Sequence, residues 1–321
     1  YRERYSHSRQ WIEEIEARFD DDPALVGPRR QPLADRLLIG AVKNLLSGVT
    51  TVCHHNPLFK LLRRRFPIRV VERYGFCHSL FRGDDPVESY QKTKPDRPWI
   101  IHLAEGVDSD AAAEFDQLDD LGLLQPNTVL VHGVGLTEAQ RQVLIERGGG
   151  LIWCPASNDF LFGRTACVSA LAEAGKVALG SDSRLSGACD LLAELRVAHQ
   201  TGQLYPQALF RLVTVDAARL LRLGQKGVGR LVEGGVADLV LLSAPTGHDP
   251  FETITGLDRS QIGLVMIGGR PLVGSPALQV VFETTRTRGQ LVRVDEVNKF
   301  MNQTLVNGLA RSSISEPGVN L

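Results

Sequence analysis

Short apolar runs alternate with longer amphipathic stretches along most of the chain. The runs are rich in β-branched and aliphatic residues, and most are apolar nearly throughout rather than at every second position. Strands that are covered on both faces, as in parallel sheets, show this continuous apolar character. The pattern predicts strands at residues 48–53, 67–74, 98–103, 127–132, 150–154 and 176–181.

The stretches between these runs carry helix boundary signals. Thr137 and Gln140 have capping-box spacing, and the helix they open is predicted to end at Gly148–Gly150. Asp190 is positioned to cap a helix over residues 191–200, and residues 206–223 predict one or two further helices. Strands and helices that alternate every 20–30 residues or so indicate βα units and a parallel sheet. Six such strands suit either a doubly wound sheet or most of a (β/α)8 barrel.

The pattern of apolar residues and glycines changes after Gly224. Glycines punctuate short apolar runs at residues 237–242 and 263–267, which predicts a small β-rich unit. Asp295 is predicted to open a last helix, because Val297, Phe300, Met301 and Leu305 fall on one helical stripe. The predicted divisions are a barrel over 1–225, a small β domain over 226–290, and a C-terminal helix and tail over 291–321.

Composition narrows the class of protein. The chain has 321 residues, of which 43% are hydrophobic, and Lys+Arg 36 against Asp+Glu 37 gives a formal net charge of −1. This balance argues against nucleic acid or an anionic membrane as a partner held by bulk charge. No apolar run approaches the ~18 residues of a membrane span. The five cysteines are odd in number and form no CxxC pair, which favours a reducing, cytoplasmic location.

Three predicted strands end in residues that bind metals or move protons. His102 is followed three positions later by Glu105, His132 ends the next strand, and Asp182 follows the last. The carboxyl ends of parallel strands open onto one face, so these side chains are expected to converge there. Imidazole and carboxylate suit a divalent ion such as Zn²⁺. Taken singly, each histidine could be a structural hydrogen-bonding residue and Asp182 a turn or helix cap, so both interpretations stay open at this point.

The motifs around these residues resemble the amidohydrolase superfamily, in the branch that holds cytosine deaminase, guanine deaminase, S-adenosylhomocysteine deaminase and the triazine hydrolases. They occur in the order and spacing of that family. The motifs are GVTTV at 48–52, HLAE at 102–105, VHG at 131–133, CPASN at 154–158, ALGSDS at 178–183 and GGVADLVL at 234–241.

The resemblance implies a (β/α)8 TIM-like barrel, lacking its first strand in this chain, with a small β-sandwich domain. It also implies one divalent metal, Zn²⁺ or Fe²⁺, that holds a hydroxide. By the family pattern His102 and Asp182 are metal ligands, and Asp182 also orients the water. Glu105 shuttles a proton to the ring nitrogen and leaving group. His132 lies at the metal site and steadies the hydroxide and the tetrahedral intermediate.

One part of the family pattern is missing. The family carries a His-x-His ligand pair on its first strand, and none occurs in these 321 residues, where only His7 precedes residue 48. We expect that the sequence omits an upstream segment. The alternative is a degenerate, metal-poor relative.

Four further residues are candidates for substrate contact: His55, His78, Ser157 and Asn158. Each has a structural alternative, and for Asn158 this is bracing of the loop. Cys154 is predicted to be a buried thiol rather than a nucleophile, since no activating base is evident.

The favoured function is hydrolysis of a C–N bond, other than a peptide bond, in a small molecule, by deamination of an N-heterocycle. The alternatives are a degenerate barrel that binds a ligand or a protein, and an enzyme that breaks a lactam or carbon–halogen bond. A homodimer is possible.

Overall fold

A computed structural model describes residues 1–54, 56, 58–63, 66–83, 85–224, 226–244 and 246–321. The described residues form two compact units. The first contains residues 1–17, 56 and 73–231, and the second contains residues 18–54, 58–72 and 232–321. The candidate residue His55 lies outside the described residues. Within these ranges no helix is both long and apolar enough to cross a membrane.

The elements are numbered in chain order. The strands are β1 (Thr51–Val52), β2 (Arg69–Val70), β3 (Gly75–Cys77), β4 (Trp99–Leu103), β5 (Thr128–His132), β6 (Gly150–Trp153), β7 (Val177–Leu179), β8 (Leu239–Leu242), β9 (Ile262–Ile267), β10 (Arg270–Gly274), β11 (Gly289–Val294), β12 (Val297–Asn302) and β13 (Val319–Asn320). The α-helices are α1 (Ser8–Ala17), α2 (Pro23–Arg30), α3 (Leu33–Leu46), α4 (Pro86–Gln91), α5 (Ser109–Asp120), α6 (Glu138–Glu146), α7 (Pro155–Phe162), α8 (Ser169–Glu173), α9 (Leu191–Gln200), α10 (Pro206–Leu212), α11 (Val215–Leu220), α12 (Pro250–Gly256), α13 (Gln279–Thr284) and α14 (Gln303–Arg311).

The first unit is built on a five-stranded parallel sheet in the order β3-β4-β5-β6-β7. Every residue of β5 is buried, and only His102 of β4 is partly exposed. This burial on both faces explains the continuous apolar runs and confirms the predicted parallel arrangement. Leu103 pairs with His132, so β4 and β5 end side by side. The predicted helix signals are also confirmed, because Thr137 and Gln140 form a capping box and Asp190 accepts the Ala193 amide.

Strand β3 was not among the predicted strands. It follows directly on the predicted run at 67–74, of which only Arg69–Val70 is a strand. A three-residue strand that begins with glycine has little β propensity to reveal it. A Cβ at Gly75 would lie 1.8 Å from Oγ1 of Thr93, so close packing requires the glycine there.

The second unit contains a six-stranded antiparallel sheet in the order β13-β11-β12-β10-β9-β8 and a two-stranded parallel sheet of β1 and β2. The Arg69 guanidinium donates to both oxygens of Asp238, each at 2.9 Å. Asp238 Oδ1 also accepts the Gly268 amide at 2.7 Å. The aspartate of the GGVADLVL motif is therefore a structural residue that joins β2 to the turn between β9 and β10.

The predicted last helix is wrong over its first part. Asp295 and Glu296 both have positive φ, 46° and 67°, and form a two-residue turn between β11 and β12. Positive φ at both central residues is the geometry of a type I′ hairpin turn. The following residues, 297–302, form β12, and helix α14 starts only at Gln303. The apolar spacing matched a helical stripe, but pairing with β11 and β10 overrides it.

This turn gives a test of the fold. Glu296→Gly should stabilise the protein by about 0.5–1 kcal/mol, because glycine adopts positive φ without the cost of about 1–2 kcal/mol that other residues pay. The lost ion pair with Arg293 is exposed and contributes little. Glu296→Ala is the matched control, since it removes the same ion pair and keeps the strain. Urea unfolding in which the alanine variant is as stable as the glycine variant would contradict this account.

Candidate active site

The candidate site lies in the first unit, where the strands of the parallel sheet end. The non-glycine residues Ala104, His132 and Asp182 have left-handed backbone there, with φ of 53°, 75° and 50°. Each lies at or just after the carboxyl end of β4, β5 or β7. Positive φ at non-glycine residues is uncommon and persists only where surrounding structure holds it, often at functional sites. All three bends sit where the sequence predicted chemistry.

Glu105 and His132 form a buried pair. Oε1 of Glu105 lies 3.4 Å from Nε2 of His132, and the side chains are 12% and 1% exposed. On the other edge of the ring, Nδ1 lies 2.9 Å from Oδ1 of Asn158. The Asn158 amide nitrogen donates to Thr165, which orients its oxygen toward His132. Nδ1 therefore carries a proton, and Nε2 faces Glu105.

This geometry allows the pair to share one proton. With Nδ1 protonated, either Glu105 donates to Nε2 or an imidazolium faces a carboxylate. Burial raises the pKa of Glu105, with the His132 charge opposing and the Asp182 charge adding to the rise. Burial lowers the pKa of His132. The charges of Glu105 and Asp182 and the Asn158 hydrogen bond raise it by more, so the pKa of His132 is raised overall. Both groups can therefore hold a proton at a higher pH than usual.

Asp182 is held by two serines. Ser157 and Ser186 both donate to its Oδ2, at 2.5 and 3.0 Å, and both serines are buried. Asp182 itself is exposed. Ser157 and Asn158 are both 0% exposed and use their polar atoms on protein groups. Their positions fit the bracing alternative, and substrate contact by either stays a prediction.

His102 presents its Nδ1 atom to the carbonyl oxygen of His78 at 2.8 Å. That bond requires Nδ1–H and leaves the lone pair on Nε2, which is the form of imidazole that binds metal ions. The His102 ring lies between two other rings, 4.9 Å from His78 and 5.4 Å from His132 between centroids. Burial and the nearby Arg82 charge lower the pKa of His78, so this ring favours its neutral form.

The donor set for a metal is incomplete among the described residues. His102 and Asp182 have the right chemistry for zinc. However, no group of three or more His, Cys, Asp and Glu residues in the described part of the chain is arranged to hold a metal ion. The ligand roles of His102, Asp182 and His132 therefore stay predictions.

Sequence reasoning missed Glu194, a fully buried carboxylate on α9. Its two oxygens accept the backbone amides of Ala156, at the start of α7, and Ala188, at 2.8 and 3.2 Å. It thereby ties the helix that carries Ser157 and Asn158 to the loop that carries Asp182. Burial raises its pKa to about 7, although both amides oppose the rise. Glu194 occupies an ordinary first-turn helix position, so nothing in its local sequence indicates that it is buried.

Cys154 is also buried, at 2% exposure. Burial and the charges of Asp182 and Glu194 raise the pKa of its thiol well above the ordinary value. A thiol in this state is a poor nucleophile, in agreement with the prediction from sequence.

Comparison with known proteins gives the family. The amidohydrolase family model matches residues 96–272, more than half of the chain, and this range includes His102, Glu105, His132 and Asp182. The chain belongs to the amidohydrolase family. The predicted resemblance is thus confirmed at the level of the family.

Two curated relatives of this amidohydrolase are named as deaminases. A 5-methylthioadenosine/S-adenosylhomocysteine deaminase from Archaeoglobus fulgidus is 37% identical over 145 residues, covering 41% of this chain and 34% of the relative. An 8-oxoguanine deaminase from Pseudomonas aeruginosa is 30% identical over 189 residues, covering 52% and 42%. The chain thus matches between about a third and under half of the length of these relatives.

Two solved structures show the same fold. An adenosine deaminase from Xanthomonas campestris with bound zinc superposes with a TM-score of 0.65 at 20% identity, covering 88% of this chain and 79% of that one. An atrazine chlorohydrolase mutant from Arthrobacter aurescens, complexed with zinc and atraton, gives a TM-score of 0.64 at 20% identity, covering 88% and 82%. The likeness confirms the predicted fold class, a TIM-like barrel with an added β domain.

Glu194 gives a pH-dependent test of this site. Its folded pKa of about 7 lies above the ordinary value of 4.5, so folding takes up a proton between these values. Its contribution to stability is therefore largest below pH 4.5 and is lost as the pH rises through 7. Glu194→Gln abolishes this dependence. The free energy of unfolding of the variant, relative to that of wild type, should therefore rise by up to about 3 kcal/mol between pH 5 and pH 8.

Denaturant unfolding of both proteins at the two pH values measures this change. Glu173→Gln, which alters an exposed carboxylate, is the control and should show no such shift. An equal difference between wild type and Glu194→Gln at pH 5 and pH 8 would argue against a buried, proton-binding Glu194.

Proposed function

We propose that this amidohydrolase hydrolyses a C–N bond of a small molecule and releases ammonia from an aminated N-heterocycle. The observation that carries the proposal is the buried Glu105–His132 pair at the ends of adjacent strands, in which Nε2 of His132 lies 3.4 Å from Oε1 of Glu105. Hydrolytic deamination needs a group that accepts a proton from water and returns it to the ring nitrogen and leaving amine. The names of the two curated relatives support a purine-like substrate.

Glu105 is proposed as the acid and base. Burial raises its pKa, so the carboxyl group can hold a proton nearer neutral pH than an exposed glutamate. A general acid and base works best when its pKa lies near the working pH. Its neighbour His132 can take the same proton across 3.4 Å, so the pair can hold the proton while the substrate rearranges.

His132 is proposed to stabilise the negative charge that develops on the attacking oxygen as it adds to the ring carbon. The Asn158 and Thr165 hydrogen bonds fix the ring so that Nε2, not Nδ1, faces Glu105. Because the ring is already oriented and 1% exposed, little reorganisation is needed as charge develops.

A divalent ion, Zn²⁺ or Fe²⁺, is proposed as the cofactor. The zinc bound in the adenosine deaminase and the chlorohydrolase supports this choice. His102 through Nε2 and Asp182 through its carboxylate would hold the ion, together with ligands beyond those the described residues bring together. When bound, the ion supplies Lewis-acid activation of water.

The proton role of Glu105 predicts a selective loss of turnover. In a screen of aminated purines, pyrimidines and triazines for ammonia release, Glu105→Gln should lower kcat by roughly 10²–10⁴-fold while KM changes little, because amide and carboxyl have similar shapes. Glu138→Gln, an exposed change on α6, is the matched control and should keep full activity. Ammonia release by Glu105→Gln at the wild-type rate would contradict the proposed role.

The metal proposal predicts about one divalent ion per chain in the full-length protein after dialysis, measured by elemental analysis. His102→Ala and Asp182→Ala should each lose most of it, because each removes one ligand. His248→Ala removes an exposed histidine of the second unit and should leave the content unchanged. No bound ion, even after reconstitution, would contradict the proposal and favour a barrel that binds a ligand or a protein.

A further inference from the structure

A second buried acid–histidine pair contacts the backbone next to Glu105, and the proposed reaction does not use it. His7 and Glu114 are each 4% exposed. Nε2 of His7 lies 3.3 Å from Oε1 of Glu114. Burying an acid and an imidazole costs free energy unless their partners compensate, so the contacts around this pair indicate what it does.

The hydrogen bonds of His7 orient its ring. The Arg9 amide donates to Nδ1 at 3.1 Å, so Nδ1 carries the lone pair and caps the start of α1. The proton of the neutral ring is then on Nε2, which faces Glu114. The Glu114 carboxylate raises the pKa of His7, with burial opposing, so the ring keeps a positive charge beside this acid to a higher pH than a free histidine would.

The second oxygen of Glu114 reaches the catalytic strand end. Oε2 accepts the backbone amide of Ala104 at 2.8 Å. Ala104 is one of the left-handed residues of the site, with φ 53°, and it directly precedes Glu105. This conformation is unfavourable for alanine, so surrounding contacts must hold it. The Glu114 carboxylate supplies that hold from α5.

The N-terminal segment fixes the backbone that follows Ala104, at residues 105–107. The Ser8 amide donates to the Glu105 carbonyl oxygen at 2.9 Å, and the Val107 amide donates to the Ser6 carbonyl oxygen at 2.7 Å. A Cβ at Gly106 would lie 2.6 Å from that Ser6 oxygen, so only glycine permits this approach. Residues 104–107 are therefore clamped between the segment at 6–8 and helix α5.

We propose that His7 and Glu114 are positioning residues that hold the backbone at Ala104, and so aim the Glu105 carboxylate at His132. The catalytic part of this inference rests on the proposed function. The clamp itself is a property of the fold and can be tested without a substrate. The segment around His7 precedes every predicted strand, and by this proposal it helps to position the catalytic Glu105.

Three variants separate positioning from general stability. Glu114→Ala removes both contacts. Glu114→Gln keeps one carbonyl oxygen that can accept the Ala104 amide. His7→Asn keeps a side-chain cap for α1, since asparagine is a good N-cap, but is too short to reach Glu114. Asp120→Ala changes an exposed acid on the same helix and is the control.

The first measurement is amide hydrogen exchange of residues 103–107, with helix α6 as the internal reference. Glu114→Ala should speed exchange of this segment roughly tenfold, because the Ala104 amide loses its acceptor. Glu114→Gln should stay near wild type, and His7→Asn should fall between. Unchanged exchange in Glu114→Ala would overturn the clamp, whatever the enzyme's activity.

The second measurement is turnover of a substrate found in the ammonia screen. Glu114→Ala should lose roughly tenfold or more in kcat with KM nearly unchanged, since a misplaced acid slows chemistry more than binding. Glu114→Gln should recover most of the loss. An equal loss in both variants would overturn the positioning role. Altered exchange together with no wild-type deamination would instead refute the proposed function and leave the clamp standing.

Discussion

The arrangement of the site depends on two left-handed backbone bends, one at Ala104 after β4 and one at His132 at the end of β5. Adjacent parallel strands bring these ends together, since Leu103 pairs with His132. The bend at Ala104 turns the chain directly before Glu105, whose Oε1 lies 3.4 Å from Nε2 of His132. Each bend is unfavourable for a residue with a Cβ. The surrounding hydrogen bonds therefore hold a conformation that the local sequence disfavours.

The chemistry follows from burial combined with fixed donors. Asn158 has a unique orientation because Thr165 takes its amide nitrogen, and this sets which nitrogen of His132 is protonated. Glu105, Glu114 and Glu194 are three acids withdrawn from solvent around one site, and each has hydrogen-bond or ion-pair partners. Burial raises the pKa of Glu105 and of Glu194, so these two acids retain a proton to a higher pH than exposed glutamates do. With a pKa of about 7, Glu194 can therefore hold a proton near neutral pH.

Much of the first unit could be predicted from the sequence. Strands β4 to β7 are buried on both faces, so their apolar runs carry a strong signal, and the caps at Thr137 and Asp190 follow local rules. Residues 297–302 could not be predicted in this way, because pairing with β11 and β10 decides their conformation. The motifs placed His102, Glu105, His132 and Asp182 at strand ends. Ser186, Glu114 and Glu194 were missed, because their importance comes from contacts across the fold and not from local spacing.

The bridge made by Glu194 has a consequence for motion. One carboxylate holds the first turn of α7 and the amide of Ala188, and Ser157 on α7 also holds Asp182. Two separate links thus join the helix to the loop, one at Asp182 and one at Ala188. Neither can swing away alone without breaking buried hydrogen bonds, which are costly to leave unmade. Helix α7 and the loop at 182–188 should therefore move as a single rigid body.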